Sequence, residues 1–263
     1  MNEWTWADSD DELVRTQTGL AAAAAAALAR QAWSPTGAPL IAGCFVAYAR
    51  GEAGPGHPGD RAWAAAVLWR APQASDGRRR SDAVLRGTVQ GPAPRQASDV
   101  DAQTVVAARV PAAYTPGLLA RREGPILAAA LAALPRRPDV AMVDATGLDH
   151  PRRAGLAIHL GAVLDLPTLG VTHRALVGDG PFPELRRGAT TAVRFDSLEV
   201  GRWVCTRTGA RPVLAHAGWR TDPGVAAGLV LLSSTSAART PVPLQEARRV
   251  AREARGLAGA GRG

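Results

Sequence analysis

The sequence predicts an α/β protein built on one mixed β-sheet flanked by helices, and three observations carry that expectation. Residues 40–49, 62–69 and 140–143 are short, continuous apolar runs of the kind that form strands covered on both faces. Stretches of helical length, rich in alanine or bounded by proline, stand around them. The order is three strands joined by short connections, then helix, strand, helix, strand.

Residues 8–32 read as a helix. Asp8, Ser9 or Asp10 can cap it, acidic side chains fill its first turn, and alanine gives its middle high propensity. It is expected to pack on the outside of the sheet. Residues 40–49 are a central strand, 51–59 a Gly/Pro loop, and 62–69 the hairpin partner. The polar stretch 71–91, with Arg78, Arg79 and Arg80, reads as a solvated turn followed by a weak strand. Residues 103–110 supply a third strand, and a turn at 114–119 opens a helix that Pro135 and Pro138 end. Strand 140–143 runs into Asp144, and Pro151 suits the first position of a helix over 151–164. Residues 168–172 make a fifth strand. Farther on, 178–188 is a loop, 192–195, 202–206 and 213–217 are strands, and 223–232 and 243–258 are helices. The first five strands and their helices follow the pattern of a ribonuclease H-like mixed sheet. Residues 1–235 are expected to form this domain, with 236–263 a basic C-terminal helix or tail carrying Arg248, Arg249, Arg252 and Arg255.

The formal charge is +8, and all 31 basic residues are arginine. Such a balance favours a polyanionic partner, although an arginine-for-lysine bias of coding would give the same composition without one. Cys44 and Cys205 sit in apolar runs without metal or redox spacing, as expected of small core residues in a reducing compartment. No run approaches the roughly 18 apolar residues that span a bilayer. The segment before the alanines at 21–27 is acidic, unlike the start of a secretion signal. A cytoplasmic protein, monomeric and with no membrane partner, is the expectation.

The chemistry concentrates at 139–161. An apolar strand ends in a carboxylate, Asp144, and a glycine turn leads to His150-Pro151-Arg152-Arg153. A carboxylate at a strand tip followed by histidine and arginines can hold a cation and phosphates together.

Four colinear blocks carry a family resemblance: Ile41-Ala42-Gly43; Tyr114-Thr115-Pro116-Gly117-Leu118-Leu119 with Arg122-Glu123-Gly124-Pro125; Val143-Asp144 with His150-Pro151-Arg152-Arg153; and Pro167-Thr168-Leu169-Gly170-Val171. Together they resemble endonuclease V, the deoxyinosine 3′-endonuclease family, over roughly residues 12–235. The resemblance implies a ribonuclease H-like fold and a nuclease that recognises deaminated purine, hypoxanthine, in DNA or RNA. It implies hydrolysis of a phosphodiester on the 3′ side with Mg²⁺ or Mn²⁺. Glu123 and Asp144 match two acidic metal positions, and His173 falls where the family has a catalytic lysine. Tyr114 and Pro116 match the wedge that enters the duplex. Leu119, Ala145, Gly147 and Leu156 would line the pocket for the extruded base, with His150 and Arg152 beside it.

The chain also departs from the family. Phe45 stands where the first metal-binding aspartate is expected, and a phenyl ring cannot ligate a metal. Trp219 replaces a histidine, with His216 the nearest substitute, and Ala145-Thr146 replaces Gly-His after the aspartate. Asp149 has two readings, a substitute metal ligand or a cap for the following helix. Two other functions therefore compete with hydrolysis: nucleic-acid binding without cleavage, and a small-molecule ligand in a pocket lined by Phe45, Trp219, His173 and the acids. The bland reading holds for His159 as a structural histidine, for His57 as a solvated one, and for Trp63, Trp69 and Trp203 as packing residues.

Overall fold

Strands whose side chains are apolar on both faces belong in the middle of a sheet, and that is where the runs at 40–48 and 140–143 fall. The computed structural model describes residues 4–49, 56–71 and 100–260. Its strands are β1 (Leu40–Tyr48), β2 (Arg61–Arg70), β3 (Val100–Arg109), β4 (Val140–Val143), β5 (Thr168–Thr172), β6 (Thr190–Phe195), β7 (Leu198–Val204) and β8 (Val213–Ala217). They form one sheet in the order β3-β2-β1-β4-β5-β8-β7-β6. β1, β4 and β5 run parallel, with Ile41 beside Val140 and Ala141 beside Thr168, and the outer strands pair antiparallel. β4 is buried throughout, whereas edge strand β3 alternates half-buried and exposed residues over most of its length. This is the ribonuclease H-like architecture predicted from the order of elements.

Helices cover both faces. On one, α2 (Leu119–Ala132) and α3 (Leu156–Leu164) pack Ile126, Leu127, Leu156 and Leu160 against Ala42, Cys44 and Val143. On the other, α4 (Pro223–Leu232) covers β7 and β8, and α5 (Val242–Ala260) crosses β1 and β2. Ala247, Val250 and Ala251 of α5 meet Ala47, Ala65 and Val67, so the stretch read as a helix or tail contributes a helix to the core. Gly43 makes the contact possible. A Cβ there would lie 2.1 Å from the Pro243 carbonyl oxygen, so the start of α5 rests directly on the β1 backbone.

α1 (Asp10–Gln31) is capped by Ser9, whose Oγ accepts from the Glu12 amide at 3.2 Å. It does not lie on the sheet as expected. Its Leu20, Ala24 and Ala27 pack on Ala154, Ile158 and Ala162, forming an outer layer over α3, because a face of alanines lets two helices approach closely. A second correction concerns residues 151–164. The helix begins at Leu156 behind Gly155, and Pro151 lies in a turn. Arg153, at φ 51°, breaks any helical continuation, and Pro fits a turn as well as a helix start. The arginine triplet at 78–80 lies outside the described residues. Among the described residues no helix is long and apolar enough to cross a membrane.

Candidate nucleic-acid and catalytic site

Polar groups gather at the carboxyl ends of parallel strands, where the chain leaves the sheet. Here these ends bring Phe45 on β1, Asp144 after β4 and His173 after β5 to one edge, and α2 adds Glu123. Cys44, Phe45, Val46, Glu123, Leu127, Val143 and Asp144 line a crevice of ≈ 60 Å³. The Tyr48 hydroxyl donates to Glu123 Oε1 at 2.9 Å. Burial raises the Glu123 carboxyl to about 7; Asp144's charge adds to this, while the Tyr48 hydrogen bond and Arg122 oppose it. Arg122, buried, stacks 4.4 Å over the Tyr48 ring and pairs with Asp60 at 2.7 Å. Asp60, Arg122, Tyr48 and Glu123 thus form one chain of contacts from the loop before β2 to the crevice.

Asp144 is not free to face a cation. Arg248 of α5 places Nη2 3.0 Å from its Oδ2, and the guanidinium groups of Arg248 and Arg252 lie 5.4 and 5.7 Å from the Phe45 ring centre. His173, expected where the family has a cation, is shifted toward the neutral form, because burial and the nearby Arg239 and Arg248 lower its pKa. The cation beside Asp144 is Arg248.

These residues do not fit the implied magnesium. Mg²⁺ takes near-octahedral oxygen ligation, but the crevice offers two carboxylates, one of them ion-paired and the other raised toward protonation, with a phenyl ring as third neighbour. Among the described residues no group of three His, Cys, Asp or Glu side chains could hold a metal. Asp149 does not repair the site. It is fully buried, and it accepts the amides of Leu176, Val177 and Gly178 at 2.7, 2.9 and 2.7 Å, with His216 Nδ1 3.7 Å away. It does not line the crevice, and α3 is capped by Gly155 without a side-chain hydrogen bond, so neither sequence reading of Asp149 describes its place. His216, also fully buried, shares a 2.7 Å hydrogen bond with the Thr172 hydroxyl. Burial lowers its pKa to about 4.

The turn that carries Tyr114 is held from several sides. Gly117, at φ 79°, turns the chain after Tyr114-Thr115-Pro116, and Leu118 N closes the turn on Thr115 O at 2.9 Å. Its carbonyl accepts from Gln17 Nε2 at 3.0 Å, His150 Nε2 at 2.9 Å and Arg152 Nη2 at 3.2 Å. Tyr114, 45% exposed, and Pro116 are thereby presented at the surface. Ala145 and Leu156, expected to line a base pocket, are buried in the hydrophobic core, with half-buried Leu119 packed against them. Gly147 packs where a Cβ would lie 1.9 Å from the Ala217 carbonyl oxygen, a fit open only to glycine. His150 and Arg152 reach the same turn through the Gly117 carbonyl, so Tyr114, Pro116, His150 and Arg152 stand together, while Gly147 packs against β8.

Trp219 is not there. It packs with Leu20, Ala24 and Ile158 under α1 and does not line the crevice as expected, because Gly161 opens room for it on the helix side. Trp63, Trp69 and Trp203 are buried packing residues, and His159 stacks 4.7 Å from Trp6 and bonds Thr5 O at 3.0 Å. Both cysteines are free and buried. Tyr48 and Gln17 were given no role from the sequence, and Arg122 entered only as part of the block around Glu123. Tyr48 left a signal as the single polar-tipped side chain within an apolar strand, and Arg122 through its place in that block.

A mixed sheet with acidic side chains at the ends of its parallel central strands is a ribonuclease H-like arrangement. The sequence model of endonuclease V matches residues 89–249, more than half of the chain. The chain belongs to the endonuclease V family. Glu123, Asp144, His173 and Arg248 lie inside the match, and Phe45 lies ahead of it. Endonuclease V of Streptomyces coelicolor is 41% identical over 155 residues, 59% of this chain and 66% of that protein. That of Geotalea uraniireducens is 40% identical over 152 residues, 58% and 64%. The matched portion thus spans slightly under two thirds of these relatives. Among solved structures, Endonuclease V from Streptomyces avermitilis superposes with a TM-score of 0.74 at 29% identity, covering 98% of this chain and 96% of that one. Endonuclease V of Ciona intestinalis, solved with a 24mer DNA containing an inosine followed by a ribo-adenosine, shares the fold at a TM-score of 0.65 and 17% identity, covering 92% and 96%.

Proposed function

We propose that the protein binds DNA or RNA carrying a deaminated purine, with hypoxanthine extruded beside the Tyr114 turn, and does not carry out Mg²⁺- or Mn²⁺-dependent hydrolysis. The carrying observation is the Gly117 carbonyl, which three side chains hold in place while Tyr114 stays exposed. Extruding a base costs a few kcal/mol and is easiest at a mispair, so a wedge held at the surface would favour such a site. The Ciona complex with inosine-containing DNA supports the same ligand class. Tyr114 would fill the gap in the stack. Leu119, half-buried beside the turn, would contact the base, and Arg152 would hold the turn. Phe45 and the Arg248–Asp144 pair speak against hydrolysis, because they occupy the positions that ligands would need. A small-molecule role has less support: ≈ 60 Å³ is far below the roughly 300 Å³ of ordinary ligand pockets.

The test combines a gel shift with a nicking assay on an inosine-containing duplex and a matched guanosine control. Preferential binding of the inosine duplex, with neither strand cut in Mg²⁺ or Mn²⁺, is expected. Metal-dependent cutting beside the inosine would overturn the binding-only reading, and equal affinity for both duplexes would overturn lesion recognition.

A further inference from the structure

The crevice does not end at Phe45. Arg248, Arg252 and Arg255 follow one another at helical spacing along α5, on an open face of that helix that also carries Gln245, Arg249 and Glu253. Arg248 and Arg252 lie against Phe45, and Arg248 pairs with Asp144, so this helix face and the crevice share a border. The charges on the helix are unevenly neutralised. Arg249 is paired with Glu246 and Glu253, each at 2.8 Å. Arg252 is exposed and has no carboxylate partner among the described residues. Arg255 reaches the Tyr48 carbonyl at 3.4 Å, and the Nε atoms of Arg248 and Arg255 are buried without a hydrogen-bond partner. An exposed guanidinium beside an aromatic ring, as Arg252 is beside Phe45, presents a fork suited to phosphate oxygens.

We infer that Arg248, Arg252 and Arg255 form a metal-independent site for the phosphodiester backbone of a bound strand. The inference rests on the reading that the protein binds nucleic acid. In this site guanidinium groups neutralise the phosphate charge that a divalent ion would otherwise meet. Asp144 serves to orient Arg248, and Phe45 is the platform that keeps two arginines at the crevice mouth.

Fluorescence anisotropy with labelled inosine and guanosine duplexes, in EDTA and over a series of salt concentrations, tests this. The wild type is expected to bind in EDTA. Arg252→Gln, at an exposed position, should weaken binding of both duplexes several-fold and reduce the slope of log K against log salt by about one, leaving their ratio unchanged. Arg255→Gln should act in the same sense, while Arg249→Gln, whose charge Glu246 and Glu253 already neutralise, should not. Tyr114→Ala should do the reverse, losing the inosine preference and keeping the salt slope. Wild-type salt slopes in both Arg252→Gln and Arg255→Gln, or binding that disappears in EDTA, would overturn the arginine site. If the arginine variants behave as expected but neither duplex is preferred, lesion recognition fails and the phosphate site stands. A wild type that binds neither duplex at about 50 mM salt sinks both.

Discussion

His150 Nε2 lies 2.9 Å from the carbonyl oxygen of Gly117, while its Nδ1 accepts the Arg152 amide at 3.1 Å. The accepting Nδ1 leaves the proton on Nε2, so the ring is neutral and donates to the turn that bears Tyr114. Burial, which lowers the His150 pKa, favours the same form. His150→Ala removes the donor, and a loss of about one hydrogen bond, roughly tenfold, is expected in the preference for inosine. His150→Gln, whose amide can donate at similar reach, should retain most of it. Competition binding against the guanosine duplex distinguishes the two.

Glu123 and His216 give opposite pH dependences. Glu123 is raised to about 7 from an ordinary 4.5, so the folded state holds a proton that the unfolded chain releases, and stability falls as pH rises through that window. Glu123→Gln should therefore melt with the wild type near pH 4.5 and a few degrees above it at pH 8. His216 is lowered from 6.5 to about 4, so the unfolded chain takes up a proton that the folded one refuses, and stability falls as pH drops from 6.5 to 4. His216→Asn should flatten the acid side of the melting-temperature profile. Thermal melts of the three proteins between pH 4 and 8 check both signs.

Asp149 binds three backbone amides that no other acceptor serves in the structure. An unsatisfied buried donor costs about 1–3 kcal/mol, so Asp149→Ala should lose about 3 kcal/mol or more of stability. The urea midpoint measures this. Divalent-ion affinity of the folded protein should not change, as it would if Asp149 were a ligand.

Phe45→Asp alone places a carboxylate under Arg248 and Arg252, where it should pair with them and leave Mn²⁺ binding undetectable. Combined with Arg248→Ala and Arg252→Ala it gives three free carboxylates around the crevice, and measurable Mn²⁺ affinity should appear. Because Glu123 must ionise to ligate, that affinity should rise as pH passes 7. Calorimetric titration at pH 6 and pH 8 reads both effects.

The sheet was legible because its order is written in local properties: apolar runs, alternation in β3, and prolines that end α2. Asp144 and Glu123 were legible by their place at a strand tip and within a conspicuous block. The partners that decide their chemistry were not. Arg248 is 104 residues from Asp144, Tyr48 is 75 from Glu123, and the amides held by Asp149 are 27 to 29 residues away. Side chains that meet only after the sheet closes leave no periodicity in the sequence. Pro151 misled for a different reason, since its fixed φ suits the turn it occupies as well as a first helical position.

Gly43 also sets an angular gauge. Because the Pro243 carbonyl sits on a strand residue without a side chain, the start of α5 is indexed to the sheet, and each later residue points about 100° around the axis from the one before. Five residues on, the helix delivers Arg248 to Asp144. One residue inserted between Pro243 and Arg248 would swing that arginine out of the crevice while leaving the helix intact, so the spacing of these two positions, as much as their identity, determines which charge faces Asp144.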